Sequence, residues 1–254
     1  MHDHDRPTDS AGQPWAGRSF GETAFAADDG TAPAALIGAL RDFRGGRSDE
    51  SAVVDVLRTA RLLIPLVAKL GEAGLNDHGI TVDKSADLSI VTVAGPDGRN
   101  VLPVFSSVEA MRRWNPTARP VPADAVRVAL AAADEKTDLV VLDPTSDTEF
   151  AIRRPALWAV AQSLPWSPSH SDAEVVAEFE ASVAEEPAVV AVCVRAGDPD
   201  AMLRGPELVV ELALIPGLDQ DALAALLERL QSRWAYSTLI AARVDSLAVK
   251  LLPA

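Results

Sequence analysis

The stretch Arg99–Pro116, RNVLPVFSSVEAMRRWNP, decides the fold of this chain. It leaves a turn, continues as an apolar strand through Phe105, and then changes to a short amphipathic segment that ends before a proline. Serine before a helix accepts hydrogen bonds from the first free backbone N–H groups, so Ser106 or Ser107 is the predicted N-cap. Asn115 is the predicted helix end, because a residue before proline is pushed out of the helical region. The stretch therefore predicts a strand that leads directly into a helix.

A turn signal lies immediately before this strand. Pro96-Asp97-Gly98 separates two apolar runs, Leu88–Gly95 and Asn100–Ser107. An Asp-Gly pair suits the positive φ angles that tight hairpin turns require. We therefore expect an antiparallel hairpin that ends in the predicted strand.

The rest of the chain alternates between helical and strand patterns. Apolar residues at helical spacing predict further helices near 32–43, 49–57, 124–135, 155–162, 172–184 and 218–230. Apolar runs predict further strands near 62–68, 139–143, 149–153, 187–195, 207–215 and 244–252. This order predicts an α+β fold with two small mixed sheets, each packed with helices, preceded by a disordered N-terminal tail.

Composition divides the chain into three parts. Residues 1–30 are rich in Asp, Gly, Pro, Thr and Ser and lack a sustained apolar period, so we expect a flexible tail. The segment 163–171, SLPWSPSHS, has two prolines and no regular pattern, and is the best linker candidate. We therefore predict an N-terminal domain over 31–168 and a smaller α+β domain over 169–254.

The charge of the chain bears on its partners. The formal net charge is −14, and residues 171–254 contain 14 acidic and 6 basic residues. An acidic surface repels phosphate backbones and anionic lipid headgroups, so we expect no nucleic acid and no membrane partner. The acidic C-terminal third is either a solubilising face or a docking surface for a basic partner. No signal-peptide pattern and no long apolar run occurs, which predicts a cytoplasmic protein.

Few residues suggest catalytic or metal-binding chemistry. Cys193 is the only cysteine, and its position in the apolar run AVVAVCVRA predicts a small core side chain. His2 and His4 could bind a metal weakly, but they have no third ligand nearby, and His78 and His170 have no partner at metal-ligand spacing. Neither a nucleophile elbow nor a phosphate-binding loop occurs. We therefore expect no catalytic set, no cofactor and no metal.

A polar loop, two arginines and two tryptophans make up the candidate interaction surface. Asp143–Asp147 leaves the C-terminal end of a predicted buried strand, where α/β proteins often bind ligands. The alternative is a plain turn, since Pro and Asp are common turn residues. Trp114, Trp158 and Trp166 could line an exposed apolar groove, although tryptophan at helical spacing is more often in the core. The candidate surface consists of Arg112, Arg113, Trp114, Asp143, Thr145, Asp147 and Trp166.

Three of these segments resemble the SseB family, named for enhanced serine sensitivity. The family pattern has a strand ending in LPVFTS, a helix ending in Trp, and a strand that runs into NPG and an aromatic residue. The corresponding segments here are Leu102–Ser107, Trp114 and Val141–Phe150. The resemblance covers about residues 51–165, and Asp143 and Thr145 replace the Asn and the Gly of the pattern. It implies no assigned enzymatic activity and no cofactor.

Three hypotheses of function follow. The first is a cytoplasmic, non-catalytic regulatory protein that binds an unidentified protein partner. The second is a sensor of a small ligand, such as an amino acid or another metabolite. The third is an enzyme with an uncharacterised activity. The sequence leaves the oligomeric state open.

Overall fold

The computed structural model describes residues 28–69, 87–137 and 139–254. Residues 1–27 of the predicted tail, with His2 and His4, lie outside these ranges, and so does His78. The elements of the N-terminal part are α1 Ala34–Arg44, α2 Glu50–Leu57, β1 Leu62–Lys69, β2 Asp87–Ile90, β3 Val93–Ala94, β4 Asn100–Val104, α3 Val108–Trp114, β5 Arg119–Ala123, α4 Ala125–Asp134, β6 Val140–Leu142, β7 Phe150–Ile152 and α5 Arg154–Ala161. The elements of the C-terminal part are α6 Ala173–Val183, β8 Val189–Ala196, β9 Leu208–Leu214, α7 Gln220–Tyr236, α8 Thr238–Arg243 and β10 Leu247–Pro253.

The turn and cap signals of the deciding stretch are confirmed. β3 and β4 pair antiparallel across the Pro96-Asp97-Gly98 turn, in which Gly98 has a φ of 82°. Ser107 is the N-cap of α3, and its Oγ accepts a hydrogen bond from the N–H of Ala110 at 3.0 Å. These local contacts need no distant partner, which is why the sequence alone predicted them.

The described residues of the N-terminal part form two sheets, which is a correction to the single sheet expected there. One has the order β3-β4-β6-β7, with β4 and β6 parallel, and the other has the order β2-β1-β5. Leu63 and Phe105 join them through two backbone hydrogen bonds, of 2.8 and 2.9 Å. The second sheet was missed because the run Leu88–Gly95 divides between β2 and β3, and because β5 contains two prolines. Proline lacks the N–H donor of a central strand, and β5 lies at the sheet edge, where proline is tolerated.

The C-terminal part has its own sheet and core. Its strand order is β10-β9-β8, and α6 and α7 pack their apolar side chains against one face. The predicted core position of Cys193 is wrong, because this side chain is exposed. β8 is an edge strand, Val192 and Val194 pack against the core, and Cys193 between them points to the opposite face. The α+β fold class is confirmed, and no described helix is long and apolar enough to cross a membrane.

The two parts are in contact through the loop between β8 and β9. Ala201 of this loop belongs to the main core cluster of the N-terminal part, and its carbonyl accepts a 2.7 Å hydrogen bond from the N–H of Ala151. Leu203 is buried in a second N-terminal cluster with Val101. The domain boundary near residue 168 stays a prediction, and the loop shows that the C-terminal part completes the core of the N-terminal part.

Candidate functional site

An open cleft lies where α1 and α3 meet the loop between β6 and β7. We call it the arginine cleft, and its volume is about 600 Å³. It lies beyond the C-terminal ends of the parallel strands β4 and β6, where ligand sites of parallel sheets commonly form. Its lining residues are Ile37, Leu40, Arg41, Arg44, Ala110, Arg113, Trp114, Pro144, Thr145, Ser146, Asp147 and Thr148.

Helical periodicity brings the two walls of the cleft together. Residues three and four apart lie on one side of a helix, and the lining residues of both helices follow this spacing. α1 contributes Ile37, Leu40, Arg41 and Arg44. α3 contributes Ala110, Arg113 and Trp114. Each wall therefore combines apolar side chains at its base with guanidinium groups.

Trp114 forms part of the cleft base and is held from behind. Its ring is half-buried and packs against Phe105, with 5.3 Å between the ring centroids. Phe105 is fully buried and is bonded to Leu63 of the neighbouring sheet. The indole is therefore fixed at the junction of the two N-terminal sheets, with one side facing the cleft.

The expectation that Asp143 lies on the interaction surface is corrected by the structure. Asp143 is 1% exposed and accepts hydrogen bonds from the Ser106 N–H at 2.7 Å and from the Ser106 hydroxyl at 2.6 Å. It also accepts one from the Thr148 hydroxyl at 2.8 Å. Asp143 thus fastens the loop to the end of β4, and positions the cleft without lining it.

The same loop contains unusual backbone angles. Asp143 has a φ of 46° and Thr145 a φ of 65°. Positive φ is uncommon outside glycine, and for a β-branched residue it is an outlier. The family pattern has Asn and Gly at these positions, which adopt this conformation more easily. Thr145 is held there by a hydrogen bond of 2.6 Å from its N–H to the Glu149 carboxylate, and strained backbone of this kind is common at binding loops.

The charges on the cleft lining are mostly positive. Arg44 donates hydrogen bonds to the carbonyl oxygens of Asp200 and Glu149. Within the described ranges, Arg41 and Arg113 form no salt bridge. The only carboxylate among the described lining residues is exposed Asp147. The cleft is therefore a local concentration of cations in a chain whose net charge is −14.

This lining suits recognition of anions. Guanidinium groups bind carboxylate and phosphate oxygens in a fork with two parallel hydrogen bonds. The hydroxyls of Thr145, Ser146 and Thr148 add polar groups on the facing loop. Among the described lining residues there is no histidine, cysteine, lysine or tyrosine. The arrangement can therefore bind an anion.

Two residues of the predicted surface lie elsewhere. Arg112 is exposed on α3 but does not line the cleft. Trp166 packs partly against the N-terminal core and lines a separate cleft of about 540 Å³ together with Trp158, whose side chain is 51% exposed. The structure thus brings together Arg113, Trp114, Thr145 and Asp147. Arg41 was missed because nothing local to α1 shows that it faces α3.

A second charged group joins the two parts of the chain. Arg153 is 5% exposed and donates hydrogen bonds to Asp198 at 2.7 Å and to Asp245 at 3.1 Å. Arg99 binds both oxygens of Asp245, at 3.0 and 2.9 Å. Burial disfavours the ionised form of Asp245, but the two guanidinium groups outweigh this effect and lower its pKa.

Two carboxyl groups near this network have pKa values above the ordinary one. Burial, and then the nearby charge of Glu207, raise the pKa of Glu50 to about 7. Burial also raises the pKa of Glu207, against the effect of a hydrogen bond from the Asp245 N–H. In the described ranges, no group of acidic, histidine or cysteine side chains is arranged to hold a metal ion. These contacts connect the two parts, and the arginine cleft remains the stronger candidate site.

The range that contains the cleft matches a known family. Residues 36–159 match the family model described as the SseB protein N-terminal domain. All lining residues of the arginine cleft lie within this range. No curated protein and no solved structure shows a significant match to the chain.

Proposed function

We propose, from the premise that residues 36–159 are an SseB N-terminal domain, that this protein is a non-catalytic regulatory protein that binds an anionic partner in the arginine cleft. The observation that carries the proposal is that Arg41 and Arg113 line one cleft together with Trp114. Two helices from distant parts of the sequence supply these groups. Such an arrangement is not required on a surface that contacts only water. It is what a site for an anion with an apolar part requires.

The cleft supports a binding role more than a catalytic one. Acid–base and nucleophilic catalysis need paired groups within hydrogen-bond distance, and the described lining residues supply arginines, hydroxyls and one exposed carboxylate. We also propose a cytoplasmic location. It is supported by the single cysteine, which is exposed as a free thiol and suits a reducing compartment.

A second candidate function is a sensor of a small anionic metabolite, such as an amino acid. The volume of the cleft favours it, because about 600 Å³ lies within the range of roughly 300–1,000 Å³ that is typical of small-molecule sites. The two functions share one site and one chemistry. They differ in the size of the ligand.

The experiment is a ligand panel on the full chain, with thermal unfolding as the readout. A ligand that binds only the native state raises its stability, so acidic peptides or small carboxylates should raise Tm in a saturable way, while neutral and cationic counterparts should not. Arg113→Ala should abolish the rise. Arg112→Ala removes the same charge from the same helix outside the cleft and should retain it. If no anion gives a rise that depends on Arg113, the proposal is wrong.

A further inference from the structure

We infer that the partner of the arginine cleft is an extended acidic peptide segment that carries an apolar side chain between its carboxylates. This inference rests on the proposed anion-binding function and names its ligand class. It follows from the placement of the charges, from the apolar base of the cleft and from the position of Asp147.

The two cleft arginines that form no salt bridge in the described ranges, Arg41 and Arg113, lie on different helices. Arg44, three residues after Arg41 on α1, is already bonded to the carbonyl oxygens of Asp200 and Glu149. Arg113 comes from α3 on the other wall. Two carboxylates on one flexible chain can each meet one of these arginines, one at each helix.

The base of the cleft is apolar, so it complements an apolar group that lies between the carboxylates of the ligand. Trp114 lines the cleft with a half-buried ring, and Ile37 and the almost fully buried Leu40 line it as well. Tryptophan and arginine are both enriched among the residues that dominate binding energy at protein interfaces. An apolar side chain of the ligand that packs on this ring would lose its contact with water, which favours binding. A ligand with only acidic side chains gains no such contribution.

Asp147 sets the orientation of the segment. Its exposed carboxylate lies on the loop side of the cleft and repels an anion that approaches from there. The carboxylates of the ligand must therefore face α1 and α3, while uncharged backbone passes the loop hydroxyls. The negative net charge of the whole chain has less influence here, since screening limits exposed charges to about 8 Å at physiological ionic strength.

The same surroundings disfavour a nucleic acid. Binding of a strand depends on many cations along its backbone, and each neutralised phosphate releases counterions. The described lining of the cleft has three arginines, of which Arg44 is already bonded to two carbonyl oxygens, and the net charge of the whole chain is −14. A short segment with a few carboxylates matches this limited number of cations.

The test is fluorescence polarisation of a labelled short peptide in which one leucine stands between pairs of glutamates. The full chain should bind it saturably, and a peptide with glutamines in place of glutamates should not bind. Replacing the leucine by serine should weaken binding about tenfold, because an apolar contact with Trp114 is lost. Arg41→Ala and Arg113→Ala should each weaken it about tenfold, and Arg112→Ala should leave it unchanged.

Competition experiments with free glutamate, inorganic phosphate and a single-stranded RNA oligonucleotide distinguish failure of the peptide inference from failure of the proposed anion-binding function. If glutamate or phosphate binds as tightly as the peptide and depends on Arg113, the peptide inference is overturned and the anion-binding function stands. If the RNA displaces the peptide at lower concentration, the inference is also overturned. If no probe shows binding that depends on Arg113, both proposals fail. Asp147→Asn should strengthen peptide binding, and an unchanged affinity would contradict the proposed orientation.

Discussion

The Asp143 carboxylate accepts two hydrogen bonds from one residue, Ser106: one from its backbone N–H at 2.7 Å and one from its hydroxyl at 2.6 Å. These two residues follow the parallel strands β4 and β6, so the bonds lock the ends of both strands to each other. The loop that lines the arginine cleft beside α1 and α3 starts from this lock. The shape of the cleft therefore depends on a buried contact that no ligand would touch.

Asp143→Ala should lower the free energy of unfolding by about 2–3 kcal/mol, because it leaves the buried Ser106 N–H and hydroxyl without their acceptor. Asp143→Asn keeps one carbonyl acceptor and tolerates the positive φ, so it should cost less. Urea unfolding measures both. Asp147→Ala, on the exposed part of the same loop, should stay within about 0.5 kcal/mol of the parent. Equal effects at the two positions would show that the Ser106 contact does not stabilise the loop.

Thr145→Gly should raise the free energy of unfolding by about 0.5 kcal/mol. It removes a β-branched side chain from a residue with a φ of 65°, which relieves backbone strain in the folded state. We expect this gain to exceed the cost of the greater backbone entropy that glycine has in the unfolded chain. Thr145→Val keeps the β-branch and should bring no gain. Equilibrium unfolding of the two variants provides the comparison, and a Val variant as stable as the Gly variant would exclude backbone strain as the cause.

The raised pKa of Glu50 predicts a pH dependence of stability. In the folded state the pKa is about 7, above its ordinary value of 4.5, so the folded chain retains a proton that the unfolded chain releases. The stabilisation that protonated Glu50 gives the folded state is therefore lost as the pH rises from about 4.5 to about 7. Glu50→Gln should be more stable than the parent at pH 8, and this advantage should shrink toward pH 4. Glu228→Gln, at an exposed position of α7, should show no such trend in unfolding measured across this range.

Arg153→Ala should lower the free energy of unfolding by about 3–5 kcal/mol, because it leaves two buried carboxylates, Asp198 and Asp245, with less compensation. Arg195→Ala removes an exposed partner of Glu211 and should cost less than about 1 kcal/mol. Chemical unfolding followed by tryptophan fluorescence tests both variants. A small effect of the Arg153 substitution would mean that water enters between the two parts and solvates these carboxylates.

The candidate site was predicted in part. Arg113, Trp114 and the loop after Val140–Leu142 were recognised because a cap, a helix and a strand end are all marked in the local sequence. The facing wall was not recognised. Arg41 is about 70 residues before Arg113, and no periodicity within α1 shows which helix its polar side approaches.

The burial of polar residues was the other gap. Asp143 was expected at the surface because Asp is common in exposed turns, and Cys193 was expected in the core because its neighbours are valines. The structure reverses both positions. Burial depends on what packs over a residue. Ser106 covers Asp143, whereas none of the described helices packs on the face of β8 that carries Cys193.

The sequence by itself determined the elements whose signals are local: the Ser107 cap, the Gly98 turn, the helix periods and the α+β class. Capping, turn geometry and amphipathicity act over a few residues, so they can be read without a partner. Only the tertiary structure decided that the N-terminal part has two sheets, that Ala201 completes its core, and that Arg41 faces Arg113 across a cleft. Those relations join residues far apart in the chain, and their stability comes from burial and charge pairing that exist only after the segments have packed together.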